Sequence, residues 1–276
     1  MFFLHNSRAF LFLLLAVCTS ISSINSLLPT YNDHSCLNRP NQIAISSYIS
    51  NQSLATLLDS LSTKASQSNS FYNDSNGGIY GLFLCRGDVS NDTCRDCVNY
   101  ATKEIRSRCE FNVLAGNRSA IIWYDECMLR YSDSNFFGEV QTEPKEFMWN
   151  AENTTSGVDP YYGAKHTIYA LLDAAVETDH MLFKADKKAV GDGTQLRYGL
   201  VQCTRDLNAT TCRKCFNYLM TYFEQLQNRI GWRILAPSCS IRYENYRFFD
   251  LQSEATQPPP PPPTPPAPGV SRALSP

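Results

Sequence analysis

The chain has 276 residues and a near-balanced charge, 24 Lys and Arg against 26 Asp and Glu, for a formal −2 at pH 7. No basic cluster breaks that balance, so nucleic acid is excluded as a partner. Past the N-terminal end no segment nears eighteen consecutive apolar residues, which excludes a membrane-spanning helix in the mature chain.

In chain order, the first element is a targeting segment. Arg8 precedes the apolar run Phe10 to Cys18, and the small residues Thr19, Ser20, Ser22 and Ser23 follow. A basic start, a short apolar core and small residues at the cut define a secretory signal peptide, assigned to residues 1–26, with cleavage after Ser20 or Ser26 both fitting. The first domain is expected over 30–140. Leu54, Leu57, Leu58 and Leu61 recur at helical spacing, with Asn51 or Ser53 able to cap. Ile79 to Leu84 reads as a strand after Asn76-Gly-Gly, and a second helix is expected from about Thr93 past Cys97. Ala120 to Tyr124 and Met128 to Tyr131 read as paired strands.

The second domain, expected over 150–252, repeats this order. Its helix carries Ile168, Leu171, Leu172 and Ala175, and its strand runs from Arg197 to Gln202. A helix follows from about Thr211, then strands Trp232–Leu235 and Ile241–Tyr243. Residues 255–276 form a Pro-rich tail with Pro258 to Pro263 unbroken, a composition that favours extended polyproline II and packs no core. It is expected to be disordered and to end without a membrane signal. Helices on one face of an antiparallel sheet define an α+β class in two tandem domains.

The duplication is explicit. Tyr80-Gly-Leu-Phe-Leu-Cys85 matches Tyr198-Gly-Leu-Val-Gln-Cys203, and Cys94-Arg-Asp-Cys-Val-Asn-Tyr100 matches Cys212-Arg-Lys-Cys-Phe-Asn-Tyr218. Cys127-Met-Leu-Arg-Tyr131 matches Cys239-Ser-Ile-Arg-Tyr243, with Phe136-Phe137 set like Phe248-Phe249. The repeats join near 140 to 152.

Of eleven cysteines, Cys18 falls in the signal peptide. The first repeat holds Cys36, Cys85, Cys94, Cys97, Cys109 and Cys127; the second holds Cys203, Cys212, Cys215 and Cys239. Gln227 stands at the position of Cys109 and nothing in the second repeat matches Cys36. Two cysteines missing together are what a disulfide leaves behind, so Cys36 and Cys109 are expected to pair. The other four in each repeat allow three pairings, and parity does not choose among them. A bridge between Cys94 and Cys97 within a helix is strained. Redox use of the CxxC needs a βαβ setting that is missing, and zinc prefers paired knuckles or spaced histidines. Structural disulfides are the expectation; no metal and no cofactor are. Arg86-Gly-Asp88 resembles an adhesion tripeptide, but its counterpart is Thr204-Arg-Asp206, so what the repeats share is the aspartate.

Asn51, Asn73, Asn91, Asn117, Asn153 and Asn208 head N-x-S/T sequons and, behind a signal peptide, are expected to carry sugar on water-facing loops. No G-x-S-x-G or H-E-x-x-H motif occurs, histidines are few, and cysteine parity leaves no free thiol. The acidic pair Asp125-Glu126 is replaced by Pro237-Ser238 at the matching place in the other repeat, so no shared catalytic dyad is supported and an enzyme is not expected.

A doubled C-x8-C-x2-C with YGL before it and RY after resembles the plant cysteine-rich repeat secretory proteins, built from tandem ginkbilobin-type (Gnk2-homologous, DUF26, stress-antifungal) domains. The resemblance covers roughly residues 30 to 250. The same tandem forms the ectodomains of cysteine-rich receptor-like kinases, but no kinase signature is present here. The resemblance implies two helices on a five-stranded antiparallel sheet with three bridges per domain. It implies the pairs Cys36–Cys109, Cys85–Cys94 and Cys97–Cys127, and by repetition Cys203–Cys212 and Cys215–Cys239. It also implies a secreted, apoplastic binding module of stress or defence signalling that recognises an extracellular ectodomain or a mannose-type glycan. An antifungal lectin and a truncated receptor-kinase ectodomain are the alternatives. The three mannose-binding positions of ginkbilobin, an Asn, an Arg and a Glu, carry over one at a time. In the second repeat the Arg and Glu fall on Arg233 and Glu244, which match, while the Asn has no counterpart because the first cysteine is gone. In the first they fall on Ile121 and Ser132, which do not match, and the residue after Cys36 is Leu37, with Asn38 one place off. A guanidinium and a carboxylate can clamp neighbouring sugar hydroxyls. An Arg233–Glu244 ion pair across adjacent strands is the competing role.

Overall fold

The computed structural model describes residues 28–38, 51–109, 117–154, 161–178, 181–191 and 193–250. The expected signal peptide and Pro-rich tail lie outside them.

The leucine stripe becomes α1 (Asn51–Ser66), which buries Leu54, Leu57, Leu58 and Leu61. Its counterpart α3 (Tyr161–Thr178) buries Ile168, Leu171, Leu172 and Ala175. The CxxC helices are α2 (Asn91–Arg108) and α4 (Ala209–Leu219), the latter continued by the turns Met220–Tyr222 and Phe223–Leu226. Both begin two residues before the threonines expected to start them. Thr93 and Thr211 are third helical residues whose amides donate to the true N-caps, Ser90 Oγ at 3.1 Å and Asn208 Oδ1 at 3.0 Å. Thr211 Oγ1 accepts from the Asn208 amide in return, which closes a capping box.

The strands are β1 (Tyr31–Asn38), β2 (Phe71–Asn76), β3 (Ile79–Cys85), β4 (Asn117–Tyr124) and β5 (Cys127–Ser132), then β6 (Glu146–Trp149), β7 (Phe183–Val190), β8 (Gln195–Cys203), β9 (Trp232–Leu235) and β10 (Cys239–Glu244). They form two antiparallel five-stranded sheets of one topology, β1-β4-β5-β3-β2 and β6-β9-β10-β8-β7. Because β6 pairs with β9, the second sheet takes in residues ahead of position 150, where the sequence reading begins the second domain.

Each sheet carries its helices on one face over a separate core. The glycine of the repeated Tyr-Gly-Leu marks a close approach of helix to sheet. A Cβ on Gly81 would sit 3.0 Å from Leu57 Cδ2, and one on Gly199 2.7 Å from Leu171 Cδ1. Five disulfides staple the layers: Cys36–Cys109, Cys85–Cys94, Cys97–Cys127, Cys203–Cys212 and Cys215–Cys239. Both CxxC motifs therefore send their two sulfurs to different strands.

Candidate functional site at the seam between the sheets

Strand alternation puts every second side chain on the face away from the helices. On β5, Cys127, Leu129 and Tyr131 enter the helix-covered core, while Met128 and Arg130 point the other way. On β10, Cys239, Ile241 and Tyr243 are core, leaving Arg242 and Glu244 opposite. These second faces meet. Leu82, Leu84, Ile121, Trp123, Met128 and Phe136 of the first domain form one buried apolar cluster with Leu235 of β9, and Met148 of β6 packs against it. The domains are thus joined sheet to sheet.

Polar groups frame this apolar seam, and several are reciprocal. The Gly138 amide donates to Asp206 Oδ2 and the Asp250 amide to Asp88 Oδ2, each at 2.9 Å and each crossing between domains. Each donor follows a Phe-Phe pair, and Asp88 and Asp206 are the aspartates shared by the repeats. Arg86 closes on both Asp88 oxygens at 2.5 and 3.0 Å, and the Asp88 side chain is only 2% exposed, so the Arg-Gly-Asp tripeptide is not displayed. Gln202 Nε2 donates to the Cys85 carbonyl at 2.9 Å, a buried bond between the domains.

Asp125, at the β4–β5 turn, is the hub of the charged end. Arg233 Nη1 reaches Asp125 Oδ1 at 2.5 Å and Asn32 Oδ1 at 2.7 Å; Arg242 Nη1 reaches Asp125 Oδ2 at 3.1 Å and its Nε reaches Glu244 Oε1 at 3.1 Å. Burial pushes the Asp125 carboxyl up, but the Arg242 and Arg233 guanidiniums outweigh it and hold the pKa below the usual value. For Arg242 burial lowers, while Asp125 and Glu244 raise the pKa above its ordinary value. Arg130, its counterpart in the first repeat, lies 3.6 Å over the Phe136 ring and donates to Gln141. Burial brings Arg130 down to about 10, opposed only by the charge of Asp206.

The structure brings the two expected sugar-binding residues together, Arg233 Nη2 lying 3.6 Å from Glu244 Oε1. Both face the seam, 12% and 3% exposed, with Arg233 already engaged by Asn32 and Asp125. Glu244 Oε2 is buried without a hydrogen-bond partner. In the first repeat Ile121 lies in the apolar cluster and Ser132 Oγ meets Ser119 Oγ at 2.8 Å. The cavity beside these arginines has a volume of about 70 Å³, below the roughly 300–1,000 Å³ of small-molecule pockets. Asp125, Arg242 and Asn32 were missed by sequence reasoning. A signal existed: Ile121 and Asp125 in one repeat stand against Arg233 and Pro237 in the other, and positions that differ so sharply between copies are the ones that meet.

Of the sequon residues, Asn51, Asn91, Asn153 and Asn208 are exposed and Asn73 is half-buried on β2, while the Asn117 side chain lies outside the described residues. No helix among the described residues is long and apolar enough to cross a membrane.

A tandem of disulfide-stapled α+β domains joined face to face defines the class. The family model described as Salt stress response/antifungal matches residues 35–134 and 139–246, and the chain belongs to this family. An antimicrobial ginkbilobin-2-like protein of Castanea crenata is 36% identical, the match covering 87% of this chain and 95% of that one. Cysteine-rich receptor-like protein kinase 25 of Arabidopsis thaliana is 39% identical over 87% of this chain but only 35% of its own length, so the chain spans about a third of that relative. The tandem DUF26 ectodomain of the Arabidopsis thaliana cysteine-rich receptor-like protein PDLP8 shares the fold, with a TM-score of 0.63 at 19% identity over 79% of this chain and 99% of that one.

Proposed function

We propose that the chain is a secreted apoplastic recognition module of plant stress or defence signalling. It offers an extracellular partner the outer surfaces of a two-domain body and carries N-linked sugar at its exposed sequons. The observation that carries this reading is the seam. By burying one face of each sheet it leaves the helix layers and edge strands outward as recognition surfaces, at a fixed angle to each other. The family's ectodomain and antimicrobial relatives agree with recognition rather than chemistry. The test is capture of extracellular ectodomains by the secreted, glycosylated chain. Saturable capture of a defined partner supports the reading, and failure to retain any extracellular protein or glycan overturns it.

A second reading, a mannose-binding antifungal lectin, draws on one feature, the unpartnered Glu244 Oε2 beside Arg233. Glycan-array binding of the wild type, Arg233→Lys and Glu244→Gln decides it. Mannose binding lost in both variants favours the lectin; none in the wild type removes it.

A further inference from the structure

On the solvent side of the first domain, α1 and α2 enclose a groove of about 490 Å³ lined by Asp59, Ser62, Thr102, Lys103, Arg106 and Ser107. Its volume lies within the range of small-ligand sites. Lys103 and Arg106 are one helical turn apart and project together. Both are exposed, and among the described residues neither makes a hydrogen bond or an ion pair. Other arginines on the same helix do: Arg95 holds Asp92 and Asp96, and Arg108 holds Glu104.

The hydroxyls of the groove are already committed as donors. Ser62 Oγ donates to Asn99 Oδ1 at 2.6 Å, Thr102 Oγ1 to the Asn99 carbonyl at 3.0 Å and Ser107 Oγ to the Glu104 carbonyl at 3.0 Å. What they present outward is therefore acceptor lone pairs, joined by the Asp59 carboxylate. A matching ligand must donate from several hydroxyls and accept at a carboxylate. Sulfate has no such donors and phosphate lacks a set of several, and a neutral sugar leaves both cations unmatched. We propose that this groove binds an acidic oligosaccharide, its carboxylates on Lys103 and Arg106 and its hydroxyls on the groove oxygens. The proposal rests on the recognition-module reading and gives it a ligand class on one face.

The second domain supplies an internal contrast. Thr221 and Glu224 stand where Lys103 and Arg106 do, and Asp173, the counterpart of Asp59, is taken by Arg213 at 2.5 Å. The site is accordingly confined to the first domain.

The experiment titrates the glycosylated full chain with de-esterified oligogalacturonate at about 0.15 M salt. Methyl-esterified oligogalacturonate and dextran sulfate serve as comparison probes. Saturable binding is expected, weakened about tenfold by Lys103→Ala and again by Arg106→Ala, the scale of losing one charge-assisted hydrogen bond. Lys214→Ala on the second domain changes nothing, Arg106→Lys retains part of the affinity, and the esterified probe does not bind. Binding untouched by both alanine variants, or equal binding of dextran sulfate, overturns the proposal. If the wild type ignores oligogalacturonate yet still captures an ectodomain, the acidic-sugar site falls while the module reading stands.

Discussion

The two domains close the same gap by different means. In the first, Cys36 on β1 is bonded to Cys109 just past α2. In the second, sheet register puts Trp149 where Cys36 would be: Cys36 pairs with Ala120 and Trp149 with Trp232, each just ahead of the matched residues Ile121 and Arg233. Gln227 fills the other cysteine position. A local network takes over from the covalent bond. The Thr154 amide donates to the Asn228 carbonyl at 2.8 Å and the Asn150 amide to the Gly231 carbonyl at 2.9 Å. The Arg229 guanidinium sits 5.7 Å from the Trp149 ring, and Phe147 leans on Tyr222 with ring centroids 5.4 Å apart. The bridge and the network do the same closing work, but only the bridge constrains the unfolded chain.

That difference predicts which domain fails first when the bridge is removed. Cys36 and Cys109 are separated by 73 residues, and a closed loop of that length contributes about 4 kcal/mol in the chain-entropy model. Replacing both by alanine should make the first domain unfold at lower denaturant while amides of the second keep their protection in hydrogen exchange. Equal loss of protection in both domains would show that the bridge's contribution is shared across the seam and that the comparison fails.

The seam joins what the disulfides keep separate, and Asp125 is its most exposed dependency. Asp125→Ala leaves Arg233 and Arg242 with Glu244 as their one shared carboxylate among the described residues. Removing one partner of a buried charge cluster costs about 3 kcal/mol. One cooperative transition should split into two, each matching a domain. A single transition with an unchanged midpoint would mean that the apolar cluster alone holds the domains together.

How much of this was legible follows from which residues carry a pattern. The helices were legible because Leu54 to Leu61 and Ile168 to Ala175 hold a 3.6-residue period, and the α+β class followed. The central strands β3, β4 and β5 and their copies were legible because the residues they turn toward the helices are apolar and β-forming. The edge strands were not: β2 reads FYNDSN and β7 FKADKKAV, polar sequences, with the lysines of β7 guarding an open edge. The pairing of Cys36 with Cys109 could be argued from parity, because a bridge leaves or arrives as two residues. The seam could not be read, since it is made by contacts between positions 68 to 201 residues apart. Arg233 was expected to clamp sugar or to pair with Glu244, whereas Asn32 and Asp125, which hold it, come from the other domain.

The smallest expected effect concerns a place where the two domains present the same chemistry to each other. Asp33 on β1 and Glu146 on β6 occupy equivalent positions, opposite Trp123 and Leu235 of the neighbouring strands, and their carboxyl groups meet across the seam. Burial and then the Asp33 charge and hydrogen bond raise Glu146 above its ordinary 4.5. The folded chain therefore holds this proton more tightly than the unfolded chain. The resulting stability is complete below the ordinary glutamate value and is given up as pH climbs through the raised one. Asp125 has the opposite sign: its lowered pKa adds stability above the ordinary aspartate value, lost as pH falls through the folded one. The seam should accordingly be firmest in mildly acidic solution, between those two titrations. Glu146→Gln keeps a neutral hydrogen-bonding partner for Asp33 and removes the repulsion. It should raise the thermal midpoint at pH 7 and leave it unchanged in mild acid, by less than about 1 kcal/mol because Glu146 is largely solvent-screened. A variant with the same pH slope as the wild type would show that the two carboxyl groups do not sense each other.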